Sequence, residues 1–237
     1  MCIRDRFQVI ERLAENGPMG IMDLSAELGF HKSTTHRLVT SLQYMGYIRQ
    51  DEESLKYALS LKFLEIGSKI LEQTNMASLI HPSLKKLSEQ TGETVHLVRR
   101  EGTEAVYIDK VESTVSSIRM VSRVGSRIPL YCSGVGKALL AELPDPEIED
   151  IWNSSEITSL TPYTVTSLSD LMDRIRGVRE AGYAMDDEEN EEGVRCIAVS
   201  IPDYHKEPVY ALSISAPVSR MTCLLYTSPS PRDRSLS

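Results

Sequence analysis

The sequence predicts an α+β chain in two parts, a small helical head and a larger domain built on an antiparallel sheet. Three observations carry this. Residues 7–46 hold three short apolar stripes at helical spacing, each stopped by a glycine. "YIRQDEESLKYAL" then reads as two short strands around the polar tip Asp51-Glu52-Glu53-Ser54. From about residue 94 onward, strand-like segments lie on both sides of a helical block, the pattern of an α+β domain.

The first stripe is Phe7, Ile10, Leu13 and Ala14, and it breaks at Gly17-Pro18. The second sets Ile21, Leu24 and Leu28 on one face, with Gly29 placed to end the helix. The third buries Thr35, Leu38, Val39 and Leu42 and closes at Met45 and Gly46. Three helices followed by a hairpin make a winged helix-turn-helix over residues 7–59. A connecting helix occupies 60–77, with Phe63, Ile66 and Ile70 beside Leu64 and Leu71. Its stripe needs a partner, either the same helix of a second subunit or its own domain. Residues 78–90 give another amphipathic helix (Leu79, Leu84, Leu87) that stops at Gly92.

Beyond it, "TVHLVRRE", "EAVYIDKV" and "IRMVSRV" read as strands, and "SGVGKALLAEL" as a capped helix. Helices follow at 146–152 and 168–181. "VRCIAVSI" and "PVYALSISA" form an antiparallel pair around Pro202-Asp203-Tyr204-His205-Lys206, closing the second domain at about residue 222. Residues 1–6 and 223–237 share an Arg-Asp-Arg string and lack the apolar rhythm between them. They are expected to be non-native tails, resembling translated adapter sequence, or else natural disordered ends.

Bulk properties bound the function. With 41% hydrophobic and 25% charged residues in 237, the composition is that of an ordinary globular protein. No apolar run approaches the ~18 residues of a membrane span, and "MCIRDRFQVIERL" has no signal-peptide core, so a cytoplasmic protein is expected. Cys2, Cys132, Cys196 and Cys223 lack CxxC-type spacing, which argues against a zinc site and suits a reducing compartment. No cofactor or metal is expected.

The formal charge of −8 looks wrong for a nucleic-acid binder, because phosphate contacts need positive potential. Location matters more than the sum. Residues 1–60 hold seven Lys/Arg against eight Asp/Glu, while acid concentrates elsewhere, notably in "DDEENEE" at 186–192. On the third helix, Lys32 and His36 lie four apart and Ser33, Arg37 and Thr40 follow the same face, opposite Leu38 and Leu42. Hydroxyls and early N–H groups suit phosphate oxygens, and Lys or Arg can donate to guanine edges. Lys32, Ser33, Thr34, Thr35, His36 and Arg37 are therefore the candidate DNA-contacting set, with Arg49 or Lys56 on the hairpin reaching the backbone and the acidic tip turned away. Alone, "KSTTHR" would read as a solvated helix face; the preceding "DLSAELGF" and following "MGYI" decide for a reading helix.

"DLSAELGFHKSTTHRLVTSLQYMGYI" resembles the DNA-binding segment of the IclR family of bacterial transcriptional regulators. "IPLYCSGVGKALLAEL", "AGYAMDDEENEEGVRCIAVSI" and "ALSISAPVSRM" resemble that family's effector domain, so the likeness spans about residues 7–222. It implies a GAF-like effector domain, a homodimer or homotetramer, a double-stranded DNA operator of a catabolic operon, and a small organic acid as effector. Glyoxylate, pyruvate, sugar acids and aromatic acids are the metabolite classes the resemblance suggests.

In the second domain, Ser133-Gly134-Val135-Gly136-Lys137 opens a helix whose N–H groups and dipole favour a carboxylate. Tyr131 and Ala138 exclude a Walker loop. An ordinary capped helix fits the same residues. Alternation puts Ser213 and Ser215 on one strand face and Leu212 and Ile214 on the other, which suits a polar cavity or an exposed face. Cys196 could line that cavity or sit in plain core. The family resemblance implies that Gly134, Val135, Asp186, Cys196, Ser213 and Ser215 are polar effector contacts, and that Met120, Ile128 and Val194 form the apolar wall.

The rest of "DDEENEE" reads as a solvated loop. Metal binding by Asp187, Glu188 or Glu189 with His96 or His205 lacks ligand spacing. An alternative reading is an enzyme with Cys196 as nucleophile and His96, His81 or His205 as base, but no motif fixes a histidine and neither GxSxG nor HExxH occurs. A winged helix serving only protein contacts is the other alternative.

Overall fold

The computed structural model describes residues 3–73, 75–113, 122–202 and 208–221. The chain divides into two compact units, 1–74 and 75–237.

The first unit holds α1 (Ile3–Asn16), α2 (Ile21–Leu28), α3 (Lys32–Tyr44), β1 (Ile48–Gln50), β2 (Tyr57–Leu59) and α4 (Lys62–Gln73). Helix α1 starts at Ile3 rather than at Phe7, and Arg6 Nε donates to Ser41 Oγ at 3.2 Å. Its buried edge is Val9 and Leu13, while Phe7 is 58% exposed. The expected stripe is thus rotated: Val9 and Leu13, four apart, meet the core, and Ile10 packs at its margin. Around them lie Leu24, Leu38, Val39, Leu42, Ile48 and Tyr57. Burying each such side chain is worth ~1.5–3 kcal/mol, so this cluster fixes how α3 is held. Gly29, at φ 67°, ends α2 in the left-handed region and lets the chain turn into α3.

The hairpin pairs Ile48 with Leu59 and Gln50 with Tyr57, and Met19 exchanges backbone hydrogen bonds with Tyr57 at 3.0 and 2.8 Å. On α4, Phe63 packs against the Tyr47 ring (centroids 5.3 Å apart) and Lys62 lies over the same ring. Leu64 and Ile66 remain exposed.

The second unit is a six-stranded, wholly antiparallel sheet of order β5-β4-β3-β8-β7-β6. Its strands are β3 (Thr94–Glu101), β4 (Glu104–Val111), β5 (Arg127–Pro129), β6 (Ala184–Asp187), β7 (Val194–Ile201) and β8 (Tyr210–Pro217). Helices α6 (Gly134–Ala141), α7 (Asp145–Asn153) and α8 (Leu168–Ala181) share one core with one sheet face, built on Leu130, Leu139, Leu140, Ile148, Leu171 and Ile175. Helix α5 (Asn75–Thr91) packs on the other face through Leu84, against Val95, Leu97 and Ile108. It starts before the expected residue 78, and Leu79 is exposed. The expected strand at 118–124 lies mostly outside the described residues; its described end, 122–124, is not strand, and the edge strand β5 comes just after it. Strand β6 falls where the sequence reads only as the start of an acidic run.

Candidate functional site

Helix α3 begins after His31, whose extended backbone (φ −65°, ψ 144°) caps the helix without a side-chain bond. Lys32, Ser33, His36, Arg37 and Thr40 are exposed and Thr34 half-buried. His31, Lys32, Ser33, His36 and Arg37 line one shallow hollow, and Thr40 Oγ1 lies 3.5 Å from His36 Nδ1. Thr35 departs from the expected set. Its side chain is fully buried and its hydroxyl donates back to the His31 carbonyl at 3.4 Å. The reason is periodicity: Thr35 lies three and four residues before Leu38 and Val39, on the core face. It lies on the core side of α3, beneath the exposed face.

Arg49 stands exposed on β1. At the hairpin tip, Asp51 accepts from Ser54 N at 2.8 Å and from Ser54 Oγ at 2.7 Å, which holds its carboxyl below the usual range. The tip therefore keeps its negative charge.

In the second unit, sheet register builds the site. Asp186 on β6 pairs with Cys196 on β7, and Cys196 pairs with Ser215 on β8. Ser213 pairs with His96 on β3. Helix α6 then brings its first turn over this row. Ser133 Oγ accepts from Gly136 N at 3.1 Å and donates to the Pro129 carbonyl at 2.6 Å, fixing where the helix starts. Gly136 is required there, because a Cβ would overlap the Leu130 backbone. A Cβ on Gly134 would come into van der Waals contact with Asp186 and Ala198.

The result is one small cavity. Gly134, Val135, Asp186, Cys196, Ser213 and Ser215 line it, with Ile128 and Val194 as apolar wall. Met120 lies outside the described residues. His96, Tyr107, Ser122, Ser133, Asn190 and Glu191 line it as well. Of these, the sequence places only Ser133 near a carboxylate, at the start of the Ser133–Lys137 helix; it offers His96 as a metal ligand or catalytic base and gives Tyr107, Ser122, Asn190 and Glu191 no place in an effector pocket. Strand pairing brings His96 in opposite Ser213, a relationship no local motif carries.

A polar line crosses the cavity: Cys196 Sγ to Ser215 Oγ at 3.0 Å, Ser215 Oγ to His96 Nδ1 at 3.3 Å, His96 Nε2 to Ser122 Oγ at 2.7 Å. Burial, reinforced by the Lys110 charge, pushes His96 down to about 3, so its imidazole is neutral at physiological pH. Burial pushes the Cys196 thiol up to about 12. A protonated thiol and an imidazole that resists protonation, joined through the Ser215 hydroxyl, make a poor nucleophile–base pair.

Asp186 Oδ1 accepts from Glu189 N at 2.8 Å and Asn190 N at 3.4 Å. Burial raises Asp186 to about 7, partly offset by the Lys137 charge. Glu189 corrects the expectation of a solvated loop: it is fully buried, ion-paired with Lys137 of α6. Among the described residues, no group of three or more His, Cys, Asp or Glu converges as a metal site.

The C-terminal domain description of the bacterial transcriptional regulator IclR matches residues 68–224, and the IclR helix-turn-helix domain matches residues 7–52. The chain belongs to the IclR family. It is 37% identical over 218 residues to the acetate operon repressor of Salmonella typhimurium, covering 91% of this chain and 79% of that one. To the HTH-type transcriptional regulator KdgR of Escherichia coli it is 38% identical over 216 residues, covering 91% and 82%. The Thermotoga maritima IclR crystal structure matches with a TM-score of 0.76 at 32% identity, covering 92% of this chain and 87% of that one. These relatives are named as a repressor and a transcriptional regulator, and this IclR-family chain is a transcriptional regulator of the same build.

Proposed function

We propose that this regulator grips an operator with the exposed face of α3 and releases or tightens that grip when a small carboxylate enters the second-unit cavity. The observation that carries the reading is convergence: residues from β6, β7, β8 and α6, far apart in sequence, line one polar cavity. Among the described residues lining it there is no Lys or Arg. An anion there would be held by neutral donors, namely the first N–H groups of α6, the hydroxyls of Ser213 and Ser215, and the Cys196 thiol. Ile128 and Val194 would receive a short apolar end.

On the DNA side, Lys32, Ser33, Thr34, His36 and Arg37 would face the duplex, with Arg49 on the backbone. Each good base contact would supply ~1–3 kcal/mol of discrimination. The exposed Leu64 and Ile66 on α4 support a homodimer or homotetramer joined through that helix. No helix among the described residues is long and apolar enough to cross a membrane, which accords with a cytoplasmic regulator. The domain limits 7–59, 60–77 and 78–222 are retained as the functional division, with 1–6 and 223–237 outside it.

Ligand can change operator affinity only through its differential affinity for two arrangements, typically ~1–3 kcal/mol of coupling. The test is a thermal-shift screen of small carboxylic acids followed by gel shifts with and without the hits. A protein that binds no DNA fragment, or whose hits leave DNA affinity untouched, would overturn the reading.

A further inference from the structure

Behind the cavity wall lies a second buried constellation. Lys137 is 1% exposed and Glu189 0%. Lys137 Nζ donates to Glu189 Oε1, and Arg174 of α8 approaches the same oxygen at 3.5 Å. Glu189 Oε2 is buried with no hydrogen-bond partner among the described residues. A buried pair so incompletely satisfied is a poor source of stability, because desolvation offsets the attraction. Its placement offers another use. The Glu189 carbonyl accepts from Thr164 Oγ1 at 2.6 Å, and its N–H donates to Asp186 in the cavity. One residue is therefore pinned through its side chain to α6, through its carbonyl to the Thr161–Thr164 turn, and through its N–H to the cavity carboxyl.

We propose that Lys137 and Glu189 are positioning residues of the effector cavity, their opposed charges and the Glu189 N–H setting whether Asp186 meets its ligand protonated or ionised. The assignment of a ligand rests on the effector reading above; the tuning of Asp186 does not. The Lys137 ammonium favours the ionised Asp186 carboxyl and the Glu189 carboxylate opposes it. Other titratable groups also share the cavity or act on Asp186: Glu191 in the lining, Cys196 on β7, Tyr107 on β4 and Cys132 ahead of α6. His96 lies along the same cavity and stays neutral.

The experiment is a carboxyl-carbon NMR titration of the full chain labelled with ¹³C-aspartate, with the Asp186 resonance identified by its loss in Asp186→Asn. The wild-type midpoint is expected at about 7. Glu189→Gln should lower it and Lys137→Met should raise it, each by about half a pH unit or more. Lys137→Arg should leave it near the wild-type position. Should Lys137→Met fail to fold, Glu189→Gln and the neutral pair Lys137→Met/Glu189→Gln decide, the pair expected above Glu189→Gln. An unmoved midpoint in folded Glu189→Gln, checked by circular dichroism, overturns the proposal. Calorimetry with pyruvate as probe separates the two readings. Moving midpoints with no heat from pyruvate or other small carboxylates sink the effector reading and leave the tuning standing.

Discussion

Cys196 and Ser215 are register partners on β7 and β8, and their side chains meet 3.0 Å apart inside the cavity. That contact begins a line of neutral groups running through His96 to Ser122. Burial keeps the thiol protonated and the imidazole uncharged. A line of this kind can donate to an organic acid without bringing a buried charge that an empty cavity would have to tolerate.

Removing that line should silence the sensor and spare the reader. Ser215→Ala deletes a hydrogen bond to a charged ligand, worth ~1.5–3 kcal/mol, so effector affinity should fall about tenfold or more. With Cys196→Ser added, the response should vanish at concentrations that saturate the wild type. Calorimetry measures the first effect, and gel shifts measure operator affinity, which should be unchanged. Double variants that respond normally would disprove the pocket assignment.

On α3 the informative comparison is Arg37 against Thr35, two residues apart and on opposite faces. Arg37→Ala should weaken operator binding while leaving the melting temperature within a degree or two. If Arg37 meets a phosphate, the salt dependence of binding should lose about one unit of slope. If it reads a guanine, discrimination at one position should relax by ~1–3 kcal/mol. Thr35→Val should do the reverse, altering stability and sparing affinity. Equal loss of binding in both variants would mean that the exposed face of α3 is not the reading face.

Much of this was legible in sequence because it is local. The stripe Leu38–Val39–Leu42, the Gly29 stop and the Ser133 cap each follow from residues within a turn of one another. Thr35 is legible too: its spacing three and four residues before Leu38 and Val39 places it in the core, where it is fully buried. What stayed hidden depends on pairing between distant segments. His96 enters the cavity only because β3 lies beside β8, and Glu189 is buried only because Lys137, far back in the chain, needs a counter-charge. An acidic run looks solvated until its partner cation is known. The family resemblance supplied Asp186, which spacing alone could not.

Gly136 offers a stability test confined to the cavity scaffold. Its backbone conformation is ordinary; its constraint is space, since a Cβ would overlap the carbonyl, Cα and carbonyl carbon of Leu130. Backbone cannot rotate aside as a side chain can. Gly136→Ala should therefore destabilise the second unit by ~1–3 kcal/mol, the usual range for overpacking. Gly177→Ala, where nothing lies within 4 Å, is the control and should be neutral or slightly stabilising on its exposed helix. Urea unfolding followed by Trp152 fluorescence reads this out, because the chain's single tryptophan lies in the second unit against Tyr131.

The same fluorescence tests the two perturbed cavity groups, whose effects on stability have opposite signs. His96 is lowered from 6.5 to about 3 by burial. Between those values the unfolded chain binds a proton that the folded chain refuses, so this stabilising contribution is whole above about 6.5 and is lost on acidification. Asp186 is raised from 3.8 to about 7 by burial. Here the folded chain keeps a proton the unfolded chain releases, so its contribution is whole below 3.8 and is lost as pH rises toward 7. Each slope is at most ~1.4 kcal/mol per pH unit, and in the shared window from about pH 4 to 6.5 they nearly cancel. Wild-type stability should show little net dependence from this pair. Differences between variants and wild type isolate each member. Asp186→Asn should gain on the wild type as pH rises from about 4 to 7, whereas His96→Gln should gain as pH falls below 6.5. Parallel curves, or gains in the opposite directions, would mean that burial does not hold these two groups neutral.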